Sequence, residues 1–271
     1  MEERQDQIAG VRVSWREAPS RGVAAPVVYL HGVPSNSDDW LPFLERTGGY
    51  ALDLPGFGRS DKPAHFDYSI EGYAAFLRAY VDHLGLDRFS LVMHDWGSVG
   101  LALAQSTPER LERLVAIAVV PFLPGYRWHR VARIWRTPIV GELLMGYSYR
   151  GGMKRASRDW LTAPGPAPDE MIDSVWRHWD HGTQRAILKL YRSAPPATLA
   201  AAGEGLGTVT APALVLWGED DPYLPPEFAH ALGEQLGGPA EVEVVPGARH
   251  WPWIDRPELV DRVAGFLRSK A

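Results

Sequence analysis

Leu91-Val-Met-His-Asp95-Trp-Gly-Ser98 is the stretch that decides how this chain is read. An apolar run, Phe89 to Met93, gives way within a few residues to a helical stretch of small side chains, Ser98 to Gln105. A strand that turns so sharply into a helix lifts one side chain out of the sheet, and the crowded turn needs small neighbours. Gly97 and Ser98 supply them, and the lifted side chain is that of Asp95. A carboxylate attacking an acyl ester would form an anhydride, uphill of its substrate. Attack on an sp³ carbon bearing a halide or a strained ring oxygen gives instead an alkyl ester that water can open. Aspartate is also a good helix N-cap, so the rest of the chain must decide between the two roles.

Outward from this turn, strand and helix patterns alternate. Val11 to Trp15 alternates like a half-buried antiparallel strand, which predicts an N-terminal hairpin. Val27-Val-Tyr-Leu30, Tyr50 to Asp53, Phe89 to Met93 and Leu114 to Ala118 are short apolar runs, as strands buried on both faces would read. Between them, helices are predicted from Asp38 to Leu44 and from Ser69 to Leu84, the latter stopping at Gly85. Ala213 to Trp217 and Val242 to Val245 are later strands, each followed by a helical pattern, Pro226 to Leu236 and Pro257 to Leu267. This alternation means a parallel sheet with helices on both faces. From Pro121 to Ala200 the rhythm breaks into helical, Trp- and Arg-rich sequence that holds five of the 11 tryptophans, a pattern expected of a cap over a pocket.

Composition narrows the chemistry. The 271 residues are 45% hydrophobic and 23% charged, as in an ordinary globular protein. A net charge of -5, with no long run of either sign, gives no whole-chain signature of a nucleic-acid or anionic-membrane partner. The absence of cysteine removes disulfides, thiolate metal sites and a cysteine nucleophile together. The polar, acidic start lacks the order of a signal peptide, and no apolar run approaches the roughly 20 residues of a membrane span, so the cytoplasm is the expected location.

Two further loops supply an acid and a base in the chain order expected of a catalytic triad. Trp217-Gly-Glu-Asp-Asp-Pro222 follows a late strand, and Asp221 is expected as the orienting carboxylate, with Asp220 as the competing choice. His250 lies between the last strand and last helix, where it can take a proton from water while a buried carboxylate holds its tautomer. The other eight histidines have no such placement; His178 and His181, flanking Asp180, read as a polar helix face rather than a metal site. His31-Gly-Val-Pro34 follows a strand, and the Val33 amide with the Trp96 amide would form an oxyanion or halide hole. A tight turn is also the usual setting for a cis X-Pro bond, here Val33-Pro34. Gly56-Phe-Gly58 and Gly203 to Gly207 lack the context of phosphate loops and read as turns.

With HGVP at 31–34, DLPGFGRSDKP at 53–63, HDWGS at 94–98, PERLERLV at 108–115, WGEDDP at 217–222 and RHWPWIDRPE at 249–258, nearly the whole chain resembles the α/β-hydrolase superfamily. The resemblance is to its branch of epoxide hydrolases and haloalkane dehalogenases. It implies an α/β-hydrolase fold, with a mostly parallel eight-stranded sheet, helices on both faces and a helical cap inserted after strand 6. The implied core is 1–120 with 201–271, and the cap is 121–200. Asp95 is then the nucleophile, His250 the general base and Asp221 the orienting acid.

The resemblance divides over the reaction. Met93, the GRSDKP wording and a Trp96 indole able to face a halide are similar to haloalkane dehalogenases. Those enzymes add a second halide donor, often an Asn where this chain has Val33, or a cap tryptophan. The segments 118–124 and 188–192 resemble epoxide hydrolases instead, and make Tyr191 one of two tyrosines that protonate the epoxide oxygen. Tyr147 or Tyr149 would be the other. A fluoroacetate-type dehalogenase fits less well, because the expected arginine beside the nucleophile is Trp96. The expectation is an epoxide hydrolase converting an apolar epoxide to a vicinal diol, the alternative a haloalkane dehalogenase, and the further alternative a non-catalytic ligand-binding homologue. It carries no metal or cofactor, a small apolar substrate as its partner, no nucleic acid or membrane, and a monomeric or homodimeric state.

Overall fold

Eight strands form one sheet in the order β1-β2-β4-β3-β5-β6-β7-β8 in the computed structural model, which describes residues 1–162 and 165–269. Ala163, Pro164, Lys270 and Ala271, which the expected division of the chain includes, lie outside the described residues. The strands are β1 (Glu2–Ile8), β2 (Val11–Ala18), β3 (Val27–Leu30), β4 (Gly49–Leu52), β5 (Phe89–Asp95), β6 (Leu111–Val119), β7 (Ala213–Gly218) and β8 (Ala240–Val245). Pairing of β1 with β2 and of β2 with β4 is antiparallel, and every other pairing is parallel. This is the mostly parallel sheet of an α/β-hydrolase fold. β1 carries no apolar alternation, because it is an edge strand exposed along its length except at Ile8; only its partner β2 is legible as a strand.

Alternation along the buried strands sorts their side chains onto two apolar faces. The core helices are α1 (Leu41–Thr47), α2 (Ile70–His83), α3 (Val99–Ser106), α10 (Glu227–Gln235), the short α11 (Pro252–Asp255) and α12 (Glu258–Arg268), and Val28, Leu30, Leu91 and Met93 meet α2, α3 and α10. On the opposite face Val27, Tyr29, Val92 and Leu216 meet Phe43 and Leu44 of α1 and Val263 and Phe266 of α12. Ser69 caps α2 by accepting from the Gly72 amide at 3.0 Å, and Gly85 ends the helix with φ +66°, a conformation suited to glycine.

Between β6 and β7 the chain forms only helices: α4 (Arg130–Arg136), α5 (Val140–Gly146), α6 (Arg150–Ala156), α7 (Asp169–Trp176), α8 (His181–Ser193) and α9 (Pro196–Ala202). A polar tie fastens them to the core beside β3. The Asn36 side-chain Nδ2 donates to Ser174 Oγ of α7 at 3.0 Å, and that hydroxyl donates to Asp38 at 2.7 Å. Asp38 is held by Arg16 and Arg59, so its position is fixed from the core side. Burial works to raise the Asp38 carboxyl, but Ser174 and the two arginines bring it down to about 2, and the tie stays charged at neutral pH.

The turn after β5 is the tightest place in the fold. Asp95 adopts φ 48°, ψ -117°, a strained region for a residue with a side chain. A Cβ on Gly32 would stand 2.4 Å from the Asp95 Cβ, and one on Gly97 would stand 2.2 Å from the Leu30 carbonyl oxygen. Gly97→Ala is therefore expected to lower stability by roughly 2–3 kcal/mol, an overpacking cost against rigid backbone. Urea unfolding would show it as a lowered midpoint at unchanged slope. Gly85→Asn, whose site is open, should lose less than about 1 kcal/mol.

Candidate active site

Three loops at the carboxyl ends of parallel strands converge on Asp95, where open α/β sheets place their ligands. Asp95 itself is 5% exposed. Its Oδ1 accepts from the Val33 amide at 2.8 Å, in the loop that follows β3. That loop is shaped by His31, whose Nδ1 donates to the Gly32 carbonyl at 2.7 Å while its Nε2 accepts from the Leu54 amide at 3.0 Å. Burial lowers the His31 pKa, so the ring is neutral and has both nitrogens occupied. The Val33-Pro34 bond is cis.

His250 enters from the loop after β8. Its Nε2 lies 3.7 Å from Asp95 Oδ2 and its Nδ1 lies 2.8 Å from Asp221 Oδ2. Asp221 sits just past β7, and its Oδ1 accepts from the amides of Tyr223 and Leu224 at 2.8 and 3.1 Å. Its side chain is fully buried, whereas Asp220 faces solvent, so Asp221 is the carboxylate that meets the imidazole. The histidine before the turn adds a second fastening: His94 Nε2 donates to the His250 carbonyl at 2.8 Å. Burial depresses the His94 pKa to about 3, and the neutral ring keeps its proton on that nitrogen.

The charges fit this arrangement. Burial opposes ionisation of Asp95, but the nearby His250 ring, helped by the Val33 amide, holds its carboxyl below the ordinary range. Burial also works to lower the His250 pKa, and Asp221 and Asp95 together overcome it and raise it. Both shifts favour an imidazolium at His250 facing a carboxylate at Asp95.

Above Asp95 lies a cavity of about 470 Å³. Val33, Pro34, Asp95, Tyr223, His250 and Trp251 come from the core, and His129, Trp135, Trp160, Trp179 and Tyr191 from the segment between β6 and β7. The helices thus roof the strand ends with aromatic rings.

Comparison with known proteins fits this geometry. Residues 27–263 match the alpha/beta hydrolase family. The chain belongs to that family. A haloalkane dehalogenase of Mycolicibacterium paratuberculosis is 32% identical over 90% of this chain and 84% of its own length. Epoxide hydrolase 3 of Xenopus tropicalis is 27% identical over 90% of this chain and 71% of its own. The crystal structure of haloalkane dehalogenase DbeA from Bradyrhizobium elkani superposes with a TM-score of 0.83 over 98% of this chain and 97% of that one, at 24% identity, a likeness of fold. The protein is a hydrolase, and both kinds of relative stand near it.

Within the hydrolase, the residues singled out in sequence are placed unequally. Tyr191, on α8, is 3% exposed and lines the cavity with Asp95. Its ring meets Trp96 edge-on at 5.2 Å and lies 5.0 Å from Trp128 and from Trp135. Burial pushes its phenol well above the usual value, and the Asp95 charge adds to this. Tyr147 and Tyr149 also line the cavity but are 81% and 65% exposed, which puts them at its solvent end. The Trp96 indole is buried beside Tyr191 and Trp128, and its Nε1 has no hydrogen-bond partner among the described residues. The Trp128 indole N–H donates to the Ala194 carbonyl at 2.8 Å, and that of Trp179 to Ser148 Oγ at 2.6 Å.

Sequence reasoning passed over His129. It caps α4, its Nδ1 accepting from the Ala132 amide at 3.4 Å, and its ring faces the same cavity as Asp95 and Tyr191. Burial lowers its pKa to about 4, so the proton of the neutral ring sits on Nε2. A helix starting at Arg130 with no Ser, Thr, Asp or Asn before it was the available signal.

Because the His250 pKa is raised in the folded chain, its pairing stabilises the fold fully below the ordinary value of 6.5 and loses that contribution as pH climbs through the folded value. Asp221→Asn should bring the imidazole back toward its ordinary range. A His250 resonance titrating at lower pH in the variant, and a smaller loss of urea stability between about pH 7 and about pH 10, check this.

Proposed function

We propose that this hydrolase opens apolar epoxides to vicinal diols through a covalent ester on Asp95. The observation that carries the reading is the pairing of a buried phenol, Tyr191, with a buried carboxylate, Asp95, across one aromatic cavity. Asp95 Oδ1 is held by the Val33 amide, so Oδ2 is the oxygen free to attack. It forms a bond to an epoxide carbon as the ring C–O bond breaks, and the departing oxygen takes a hydrogen bond and then a proton from Tyr191. An alkoxide is more basic than a phenolate, so a phenol with a raised pKa still serves as donor. His129 Nε2–H is a second donor facing the same cavity, in the part that Tyr147 or Tyr149 was expected to take.

The ester then changes the electrostatics at His250. Alkylation removes the negative charge of Asp95 and leaves Asp221 as the one carboxylate supporting the imidazolium, so its pKa falls. The Nε2 proton is given up to restore the Tyr191 phenol, and the neutral ring then serves as general base for water. Water attacks the ester carbonyl, the neutral His250 Nε2 takes its proton, and the oxyanion forms where Oδ1 meets the Val33 amide, the Trp96 amide being the second donor this reading assigns. Collapse releases the diol and restores Asp95. The helices between β6 and β7 act as the cap that excludes bulk water.

Halide release is the second reading, favoured by the identity to haloalkane dehalogenases and by the unpartnered Trp96 indole. It needs a second donor. The Val33 side chain cannot provide one, and the indole N–H groups of Trp128 and Trp179 are already bonded to protein acceptors, which leaves Trp135 and Trp160 of the cavity wall as the indoles to supply it. Tyr191→Phe separates the two readings. With an aryl-substituted terminal epoxide the variant is expected to lose about 10²–10⁴-fold in kcat, the range for general-acid catalysis, with KM little changed. Wild-type protein that releases bromide from a bromoalkane and forms no diol from the epoxide, with Tyr191→Phe unimpaired, would transfer the conclusion to dehalogenation.

A further inference from the structure

The net charge of -5 conceals a segment of opposite character. Residues 127–158 hold eight arginines and lysines against one acid, Glu142, and that acid is paired with Arg192 at 2.6 Å. Arg127, Arg130, Arg133, Arg155 and Arg158 are all exposed, and none forms an ion pair among the described residues. Asp159, the next residue, lies 4.0 Å from Arg249.

The same segment carries the main exposed apolar surface. Ile139 and Val140 at the start of α5 are 73% and 48% exposed, and Leu143 and Leu144 are 56% and 44%. Tyr147 and Tyr149 continue this surface toward α6. Val131, Leu144, Tyr147 and Tyr149 line the cavity, so the apolar face and the cavity mouth are continuous. Ile139, Val140 and Leu143 stand outside the cavity lining, and a substrate seated in the cavity would leave them uncovered.

We propose that this face docks the hydrolase onto the surface of a lipid bilayer containing anionic lipids, with α5 and the two tyrosines at the headgroup level. Charge complementarity selects this occupant: exposed apolar residues and tyrosines carried on one segment with exposed, unpaired arginines form the pattern of an interfacial anchor. A second copy of the chain would bring the same uncompensated positive charge against itself. The docking is peripheral, since no helix among the described residues is long and apolar enough to cross a membrane. It places the cavity mouth against the lipid, from which an apolar substrate could pass directly.

Co-sedimentation with vesicles tests this without reference to which bond is cleaved. The probes are phosphatidylcholine vesicles with and without about 30% phosphatidylglycerol. The full chain should pellet with the anionic vesicles, remain soluble with the neutral ones, and be released by about 0.5 M salt. Arg130→Gln/Arg155→Gln/Arg158→Gln should lose on the order of fivefold in partition per arginine. Ile139→Asn/Leu143→Gln should weaken binding while the circular dichroism spectrum stays unchanged; asparagine suits the φ of +69° at residue 139. Equal pelleting with both vesicles, no pelleting, or undiminished binding by the triple variant overturns the proposal. So does a concentration-dependent dimer in sedimentation velocity that Leu143→Gln disperses, since the face would then belong to a second copy.

Discussion

The backbone turn at Asp95 is the constraint on which the site depends. At φ 48° the carboxylate leaves the line of β5 and stands above the strand ends. The conformation costs of order 1–3 kcal/mol and persists only where its surroundings over-determine it. Here the surroundings are backbone atoms approaching where side chains are missing, at Gly32 and Gly97. The Val120 amide also donates to the Asp95 carbonyl at 3.0 Å, fixing the turn from the β6 side. The same approach that forces glycine at residue 32 brings the Val33 amide onto Asp95 Oδ1. Strain, glycine and hydrogen-bond donor are three consequences of one close contact.

A second layer keeps the parts in register. His31 and His94 are buried and neutral, and each ties down backbone: the carbonyl before the Val33 amide in one case, the carbonyl of His250 in the other. Asp221 is fixed by two amides of its own loop. The imidazole between two carboxylates is thus set by rigid groups, and its basicity responds to whether Asp95 carries charge. That dependence suits the proposed two-step reaction, in which the base is needed only after Asp95 has been neutralised.

The core of this arrangement could be read from residue order because backbone geometry dictates residue type there. A four-residue apolar run such as Val27–Leu30 has few fates other than a doubly buried strand, and Gly97 after Asp95 follows from the turn. Asp221 and His250 were legible by chain order, with Asp221 already preferred over Asp220, but the burial that separates the two carboxylates is not displayed in sequence. The helices between β6 and β7 were less legible, since several aromatic faces compete for one roof. Tyr191 lies within an amphipathic helix whose buried side includes Ile187 and Leu190, and so reads equally as packing. Tyr147 and Tyr149 read as cavity residues and stand at the rim. His129 was passed over because an N-cap histidine has no spacing signature. β1 was expected only as the unlocated partner of an N-terminal hairpin, which β1 and β2 form, because an exposed edge strand carries no hydrophobic period.

The claim at the centre is that Asp95 forms a bond to substrate carbon. Single-turnover reaction with excess enzyme in ¹⁸O-water examines it directly. If an ester on Asp95 is opened by water at its carbonyl, the first diol carries an unlabelled oxygen from the carboxylate, and the label is recovered by mass spectrometry in the peptide containing Asp95. Label in the first-turnover product, with none in that peptide, would mean that water attacks the substrate itself and would contradict the account.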